Sequence, residues 1–145
     1  MYLRELYIKN SGPIEKLHLN LTFSEAGLPI PHVVVGLNGT GKTNLLSLIA
    51  DALMEGASNA FHDVLESSTA GRHYFRVVGG KTLRYGETSA FTIIRFRHND
   101  TDLFYHENQG NVTAEDARSA IPPTLHSGAT WSGIKPSKGF NLEND

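Results

Sequence analysis

The chain has 145 residues, of which 39% are hydrophobic and 19% are charged, and its formal net charge is −2. This composition is ordinary for a globular protein and argues against wholesale disorder. Because the chain contains no cysteine, disulfides, thiolate metal sites and cysteine nucleophiles are excluded. The opening MYLRELYIKN carries charges where a signal peptide needs an apolar core, and no apolar run reaches membrane-spanning length. We therefore expect a cytoplasmic protein with no membrane partner.

Two β-strands joined by a turn are predicted at the amino end. In LRELYIKN, Leu6 and Ile8 alternate with less apolar neighbours, which is typical of a half-buried strand. Gly12 and Pro13 then interrupt the run, as residues of a turn do. The next stretch, KLHLNLTF, alternates most clearly and places on one face Leu17, Leu19, Leu21 and Phe23. The pattern predicts a β-hairpin or meander.

A short strand followed by a helix is predicted next. The three valines at 33–35 are all β-branched and lack alternation, as expected of a strand that is covered on both faces. Helical spacing follows in KTNLLSLIADALMEG, whose apolar positions are Leu45, Leu48, Ile49, Ala52 and Leu53. Gly56 is a plausible end of this helix, and NAFHDVLESS either prolongs it or forms a short second piece.

An antiparallel block of strands is predicted after the helix. HYFRVVGGKTLRYG reads as two strands about Gly79 and Gly80, and a turn at Asn99 and Asp100 joins FTIIRFRH to LFYHEN. A weak helical signal in AEDARSAI precedes a polar ending. The predicted organisation has three parts, namely an α/β lobe with the glycine-rich loop at 1–68, an antiparallel β-subdomain at 69–108, and a polar linker with a weak helix at 109–145.

The most diagnostic pattern is GLNGTGKT at residues 36–43, which fits G-x-x-x-x-G-K-[ST]. Glycines allow successive backbone amides to surround a triphosphate, and the amino end of the following helix attracts the same anion. Lys42 would reach the β- and γ-phosphates, and the Thr43 hydroxyl would bind Mg²⁺. The predicted cofactors are therefore ATP and Mg²⁺, and the predicted binding residues are Gly36, Leu37, Asn38, Gly39, Thr40, Gly41, Lys42, Thr43 and Asn44.

The loop and the opening strands resemble a group of ATPases. With Asn38 at its third position, GLNGTGKT resembles the G-x-N-G-x-G-K-[ST] loops of ABC-type ATPases. LYIKNSGPIEKLHLNL looks like the first strands of the SMC, RecF and overcoming-lysogenization-defect (OLD) nuclease ATPases. The resemblance covers residues 1 to about 56 well, and the block to about 108 in outline. Ser11 stands where these proteins usually carry Phe, in the turn on the adenine side.

This resemblance implies an α/β fold of the P-loop NTPase type. The chain would form the N-terminal lobe of an ABC/SMC-like ATPase head, with a mixed sheet and an antiparallel β-subdomain. Such a head binds ATP and Mg²⁺ and pairs with a second head, so that ATP binding clamps and hydrolysis releases. The implied roles are DNA repair, chromosome organisation or, in OLD-like proteins with an attached nuclease, defence against phage. DNA and an effector nuclease are thus implied as possible partners.

The groups that would complete hydrolysis are not found in the sequence. The pattern sought is four apolar residues followed by Asp-Glu, but FTIIRF precedes Arg97 and His98, and no LSGG-like signature occurs. No catalytic residue is therefore predicted, and a C-terminal segment and a partner head are expected to complete the site. Residues 33–35 would then lack covering neighbours and expose apolar surface. Gln109 is either the lid glutamine that senses Mg²⁺ and the γ-phosphate, or a polar residue beside a turn.

Several alternatives remain open from the sequence. Between residues 72 and 97, six basic side chains face only one acidic one, which indicates either a polyanion site or the solvated face of strands. The hairpin group His98, Asp100, Asp102, His106 and Glu107 could bind a metal or serve local hydrogen bonding. The whole chain could instead be a self-contained small P-loop kinase or NTPase, or a nucleotide-binding interaction module without turnover.

Overall fold

The computed structural model describes residues 1–60, 65–66, 73–74, 83–134 and 137–142. The strands are β1 Tyr2–Ser11, β2 Ile14–Asn20, β3 Leu65–Glu66, β4 His73–Tyr74, β5 Ser89–His98, β6 Thr101–Gly110 and β7 Ser137–Leu142. The helices are α1 Lys42–Ala60, α2 Ala114–Ala120 and a 3₁₀ helix Pro123–Gly128. Five strands form one antiparallel sheet in the order β2-β1-β5-β6-β7, and β3 pairs with β4 in parallel.

The predicted amino-terminal hairpin is confirmed. β1 and β2 pair antiparallel with Leu6 opposite Leu19, and Gly12 has a φ of 55°, which a turn can require of glycine. Along β2, Leu17 and Leu19 are half-buried and His18 is exposed, as the alternation predicts. β1 differs from the half-buried strand that was expected, because its middle residues are buried on both faces of the sheet. Its position between β2 and β5, with helices on both sides, explains this burial.

The hairpin of β5 and β6 is also confirmed at the predicted turn. Asn99 and Asp100 have φ values of 46° and 63°, the left-handed pair that a two-residue hairpin turn requires. The pairing continues along both strands, from His98 opposite Thr101 to Ser89 opposite Gly110. Of the predicted strand pair about residues 79–80, the structure describes β4 and residues 83–86, where Leu83 forms an isolated antiparallel bridge with Ser11, and residues 75–82 lie outside the described residues.

Apolar side chains cover both faces of the sheet. On the first, which we call the α1 face, Leu6, Ile8 and Ile94 meet the helical stripe of Leu45, Leu48 and Ala52. On the second, the α2 face, the core cluster contains Tyr7, Phe91, Ile93, Phe104, Val112, Ala117, Leu125 and Trp131. The period-two alternation of strand side chains thus supplies two hydrophobic layers from one set of strands.

The helix after the glycine-rich loop is confirmed, but its predicted end is not. Leu45, Leu48 and Ala52 are buried as the spacing predicts, whereas Leu53 is exposed. α1 continues through Gly56 to Ala60. A Cβ added to Gly56 would lie 3.3 Å from the Phe140 ring of β7, so the glycine at this point allows close packing rather than ending the helix.

The weak helical signal near the carboxyl end corresponds to a real helix. The hydroxyl of Thr113 accepts a hydrogen bond from the amide of Asp116, and the Asp116 carboxylate accepts one from the Thr113 amide. This capping box satisfies amides that would otherwise be unpaired at the start of α2. The Thr113 hydroxyl also donates to Oδ2 of Asp116, at 2.6 Å, and this bond together with the one from the Thr113 amide lowers the pKa of the exposed Asp116 carboxyl.

The predicted fold class is wrong. Instead of an α/β P-loop NTPase lobe with a mixed sheet, the described residues form a mostly β structure around five antiparallel strands. A mixed sheet would need residues 33–35 to pair beside a parallel strand, but they belong to none of the described strands, and Val33 and Val35 are 84% and 85% exposed. The sheet also takes strands from all three predicted segments, 1–68, 69–108 and 109–145, because β1 pairs with β5 and β6 with β7.

Candidate nucleotide-binding site

The glycine-rich loop leads directly into α1, and its backbone requires glycine at two points. Gly39 and Gly41 have φ values of 83° and 99°, a conformation that side chains other than glycine rarely adopt. A Cβ on Gly41 would also lie 2.6 Å from Cγ1 of Ile14 in β2, so this position excludes a larger residue. The loop therefore packs closely on the amino-terminal hairpin while residues 36–40 stay exposed to solvent.

The Lys42 side chain binds back to the carbonyl oxygens of its own loop. Its Nζ donates hydrogen bonds to the carbonyl oxygens of Gly36 and Leu37, both at 2.7 Å. The hydroxyl of Thr40 also donates to the Leu37 carbonyl, at 2.8 Å. The ammonium group is thus held against the loop by neutral acceptors. An anion that entered the loop would offer this group stronger, charge-assisted partners.

A cavity of about 260 Å³ lies beside the loop. Six of the nine predicted binding residues line it together with Pro13, namely Asn38, Gly39, Gly41, Lys42, Thr43 and Asn44. Thr43 is exposed in the first turn of α1, and that turn contains no acidic side chain. The partial positive charge of the helix end is therefore not compensated within the turn, which favours an anion at this place.

Asn44 anchors the start of α1 to the end of β1. Its Nδ2 donates to the Ser11 carbonyl at 3.1 Å and lies 3.3 Å from the Ser11 hydroxyl. Ser11 itself is buried. Asn44 was predicted as a binding residue from its place after the motif, and the contact with Ser11 gives its side chain a positioning role that the sequence did not indicate. Ser11, which the resemblance places in the turn on the adenine side, is thus used for internal packing.

Gln109 lies on the same side of the sheet as the loop helix. It is half-buried at the end of β6, opposite Ala90, and lines a small crevice with Ser11, Leu48 and Glu107. It does not belong to the residues that line the loop cavity. Its role as a sensor of Mg²⁺ and the γ-phosphate stays a prediction.

Buried carboxylates on the α1 face are a feature that the sequence analysis missed. Asp51 on α1 is buried, and so is Glu107 on β6. The Tyr105 hydroxyl donates to Oε2 of Glu107 at 3.0 Å. The position of Asp51 between Leu48 and Ala52 on the apolar stripe of α1 is the signal that could have indicated its burial.

The predicted basic section is partly neutralised by neighbouring carboxylates. Arg95 forms ion pairs with Glu5 at 3.0 Å and Asp102 at 3.5 Å, and Arg97 pairs with the same Asp102. Both arginines thus pair with carboxylates of the sheet, and the Arg95 side chain is only 17% exposed, which differs from the solvated strand face that was one of the two interpretations. The other basic residues of the section, apart from Arg84, lie outside the described residues.

The hairpin group proposed as a metal site is divided by the sheet. His106 lies beside Trp131 on the α2 face, whereas Glu107 lines the crevice on the α1 face, and Asp102 pairs with arginines. In the part of the chain that the structure describes, no group of three or more His, Asp or Glu side chains could hold a metal ion.

Two comparisons with known proteins, against family models and against curated sequences, found no match. Among the described helices, none combines the length and the apolar character needed to cross a membrane. The case for a function therefore depends on the loop and the residues around it.

Proposed function

We propose that the chain binds ATP with Mg²⁺ through residues 36–43 and the first turn of α1. The observation that carries the proposal is the combination of the full loop motif with left-handed glycines at 39 and 41 and a lysine held inside the loop. A glycine-rich turn that merely joins a strand to a helix does not need this lysine. A loop that receives phosphate oxygens does.

Each group of the loop has a role in this proposal. Lys42 exchanges its contacts with the Gly36 and Leu37 carbonyls for the β- and γ-phosphates. Thr43, exposed at the start of α1, contributes its hydroxyl to Mg²⁺. Backbone amides around Gly39 and Gly41 surround the phosphates, and Asn44 holds the helix end against β1.

We also propose that the chain is the ATP-binding part of an ATPase of the ABC, SMC, RecF and OLD-like class. It would act as a nucleotide-driven clamp or switch in DNA transactions or phage defence. A C-terminal segment and a second head would complete hydrolysis. The support is the resemblance of GLNGTGKT and of the opening hairpin, not the α/β architecture, which the antiparallel sheet contradicts.

Isothermal titration calorimetry of the chain with Mg·ATP tests the binding. Lys42→Ala removes a charge-assisted contact of about 1.5–3 kcal/mol, so we expect ATP affinity to fall about 10- to 150-fold. Lys9→Ala is the matched control. Lys9 directly follows Ile8 on β1, and because Ile8 lies on the α1 face, the alternation of strand side chains places Lys9 on the other face of the sheet. Equal affinities of the Lys42→Ala variant and the unmodified chain would contradict the proposal.

The rate of phosphate release, measured at several protein concentrations, distinguishes an ATPase head that must pair with a second head from a self-contained NTPase. If two heads must pair, any turnover by the chain should rise more steeply than linearly with its concentration. A rate per molecule that is constant and well above background would instead indicate a self-contained NTPase.

A further inference from the structure

The segment at residues 83–88 packs against the turn between β1 and β2, next to the glycine-rich loop. The Arg84 amide donates to the Asn10 carbonyl at 2.8 Å, and the Arg84 guanidinium donates to the Pro13 carbonyl at 2.9 Å. Leu83 forms an antiparallel bridge with Ser11. These contacts hold the segment at the wall of the cavity described above, because Pro13 is also one of the residues that line the cavity.

Tyr85 lies in a tight turn of this segment. The turn is closed by a hydrogen bond from the Glu87 amide to the Arg84 carbonyl, at 3.0 Å, and contains Gly86 with a φ of 85°. Asn10 fixes its far side by donating to Oε2 of Glu87 at 3.0 Å and to the Ser89 carbonyl at 3.1 Å. The backbone on both sides of Tyr85 is therefore held, while its ring is fully exposed to solvent.

A nucleotide bound at the loop needs a surface for its base. The ribose separates the base from the phosphates, so the base must lie outside the phosphate cavity and against the neighbouring surface. Ser11 is buried and has no ring to offer. An aromatic ring on a fixed turn, directly after the arginine whose guanidinium binds the Pro13 carbonyl, is the kind of platform on which a base stacks, because every base has a π-face.

We propose that Tyr85 is the base-stacking residue of this site, with Arg84 as the residue that positions its turn. The inference rests on the proposed function, since it assigns a contact to the same nucleotide. It concerns only the nucleoside part of the ligand, whereas Lys42 concerns the phosphates. The two assignments can therefore be tested separately.

The test compares Mg·ATP with Mg·tripolyphosphate, which keeps the phosphates and lacks the base, by calorimetry on the whole chain. We expect Tyr85→Ala to lower ATP affinity about tenfold and to leave tripolyphosphate affinity unchanged. Tyr85→Phe should keep ATP affinity, because stacking needs the ring and not the hydroxyl. Tyr2→Ala is the control, since Tyr2 is also exposed but lies at the opposite end of β1.

Distinct outcomes separate the two proposals. If Tyr85→Ala binds ATP as well as the unmodified chain, or loses ATP and tripolyphosphate equally, the assignment of Tyr85 is overturned while phosphate binding stands. If the unmodified chain binds neither ligand, both proposals fail. Because the Tyr85 side chain is fully exposed, unchanged thermal melting of the variant is expected and confirms that the fold is intact.

Discussion

The five-stranded sheet and the segment at residues 28–37 are both rich in apolar side chains, but only the sheet buries them. Ile93 and Ile94 of β5 are fully buried between two layers of helices. Val33, Val35 and Leu37 are among the most exposed apolar residues that the structure describes. A run of β-branched residues thus becomes a buried strand only where neighbouring strands pair with its backbone and another layer covers its face.

Charged groups differ between the same two regions. In the sheet, Arg95 faces the carboxylates of Glu5 and Asp102, so its charge is compensated inside the protein. In the loop, the partners of the Lys42 ammonium are the neutral carbonyls of Gly36 and Leu37. Charges of the sheet hold strands together, whereas the charge of the loop is still available to an anion. This contrast is the reason for placing function in the loop.

The largest expected effect concerns the difference in burial between the five-stranded sheet and residues 28–37. Phe104→Ala would empty a fully buried position of the α2-face core, and we expect a loss of about 3–5 kcal/mol in the free energy of unfolding. Val33→Ala, at an exposed position, should change it by less than about 0.5 kcal/mol. Urea denaturation followed by circular dichroism measures both. Similar losses for the two variants would mean that residues 33–35 are buried in solution.

A smaller effect is expected for the charge contrast. Glu5 is 1% exposed and holds Arg95 at 3.0 Å and His18 at 2.8 Å. Glu5→Gln removes the negative charge and leaves the guanidinium with less compensation, so unfolding should become easier by about 2–3 kcal/mol. Glu15→Gln breaks an exposed pair with Arg84 and should cost less than about 1 kcal/mol. Denaturant titration at pH 7 measures the free energy of unfolding of both variants. Equal losses for Glu5→Gln and Glu15→Gln would mean that the burial of Glu5 does not strengthen its ion pair.

The smallest effect is a pH dependence within the sheet. Burial lowers the pKa of His106 from its usual 6.5, while the Glu107 charge opposes this shift. Below pH 6.5 the unfolded chain therefore binds more protons than the folded chain, and stability should fall as the pH falls towards the lowered value. The slope for this one group is at most about 1.4 kcal/mol per pH unit.

Thermal unfolding between pH 7.5 and 5 measures that slope. His106→Gln should flatten it, because the variant has no imidazole to protonate. His32→Gln, at an exposed position outside the sheet, should leave it unchanged. If His106→Gln keeps the full slope, the histidine is not the group responsible.

Local features of this protein follow from the sequence alone. Turn residues and alternation predicted the hairpin about Gly12 and the hairpin about Asn99 and Asp100, because a tight turn joins strands that are adjacent in sequence. The apolar spacing predicted α1, and the motif predicted a loop before it whose backbone needs the conformational freedom of glycine. Each of these depends on residues close together along the chain.

Long-range features were decided only by the tertiary structure. One of the two neighbours of β1 is β5, whose paired residues are distant in sequence (Tyr2 lies opposite Arg97, for example), and no local pattern specifies that pairing. The same holds for the partners of Arg95, the burial of Asp51 and the docking of residues 83–88 on the β1–β2 turn. The fold class was predicted wrongly for this reason. Which strand lies beside which, and which side chain loses its water, depend on contacts between distant segments, which composition and periodicity do not record.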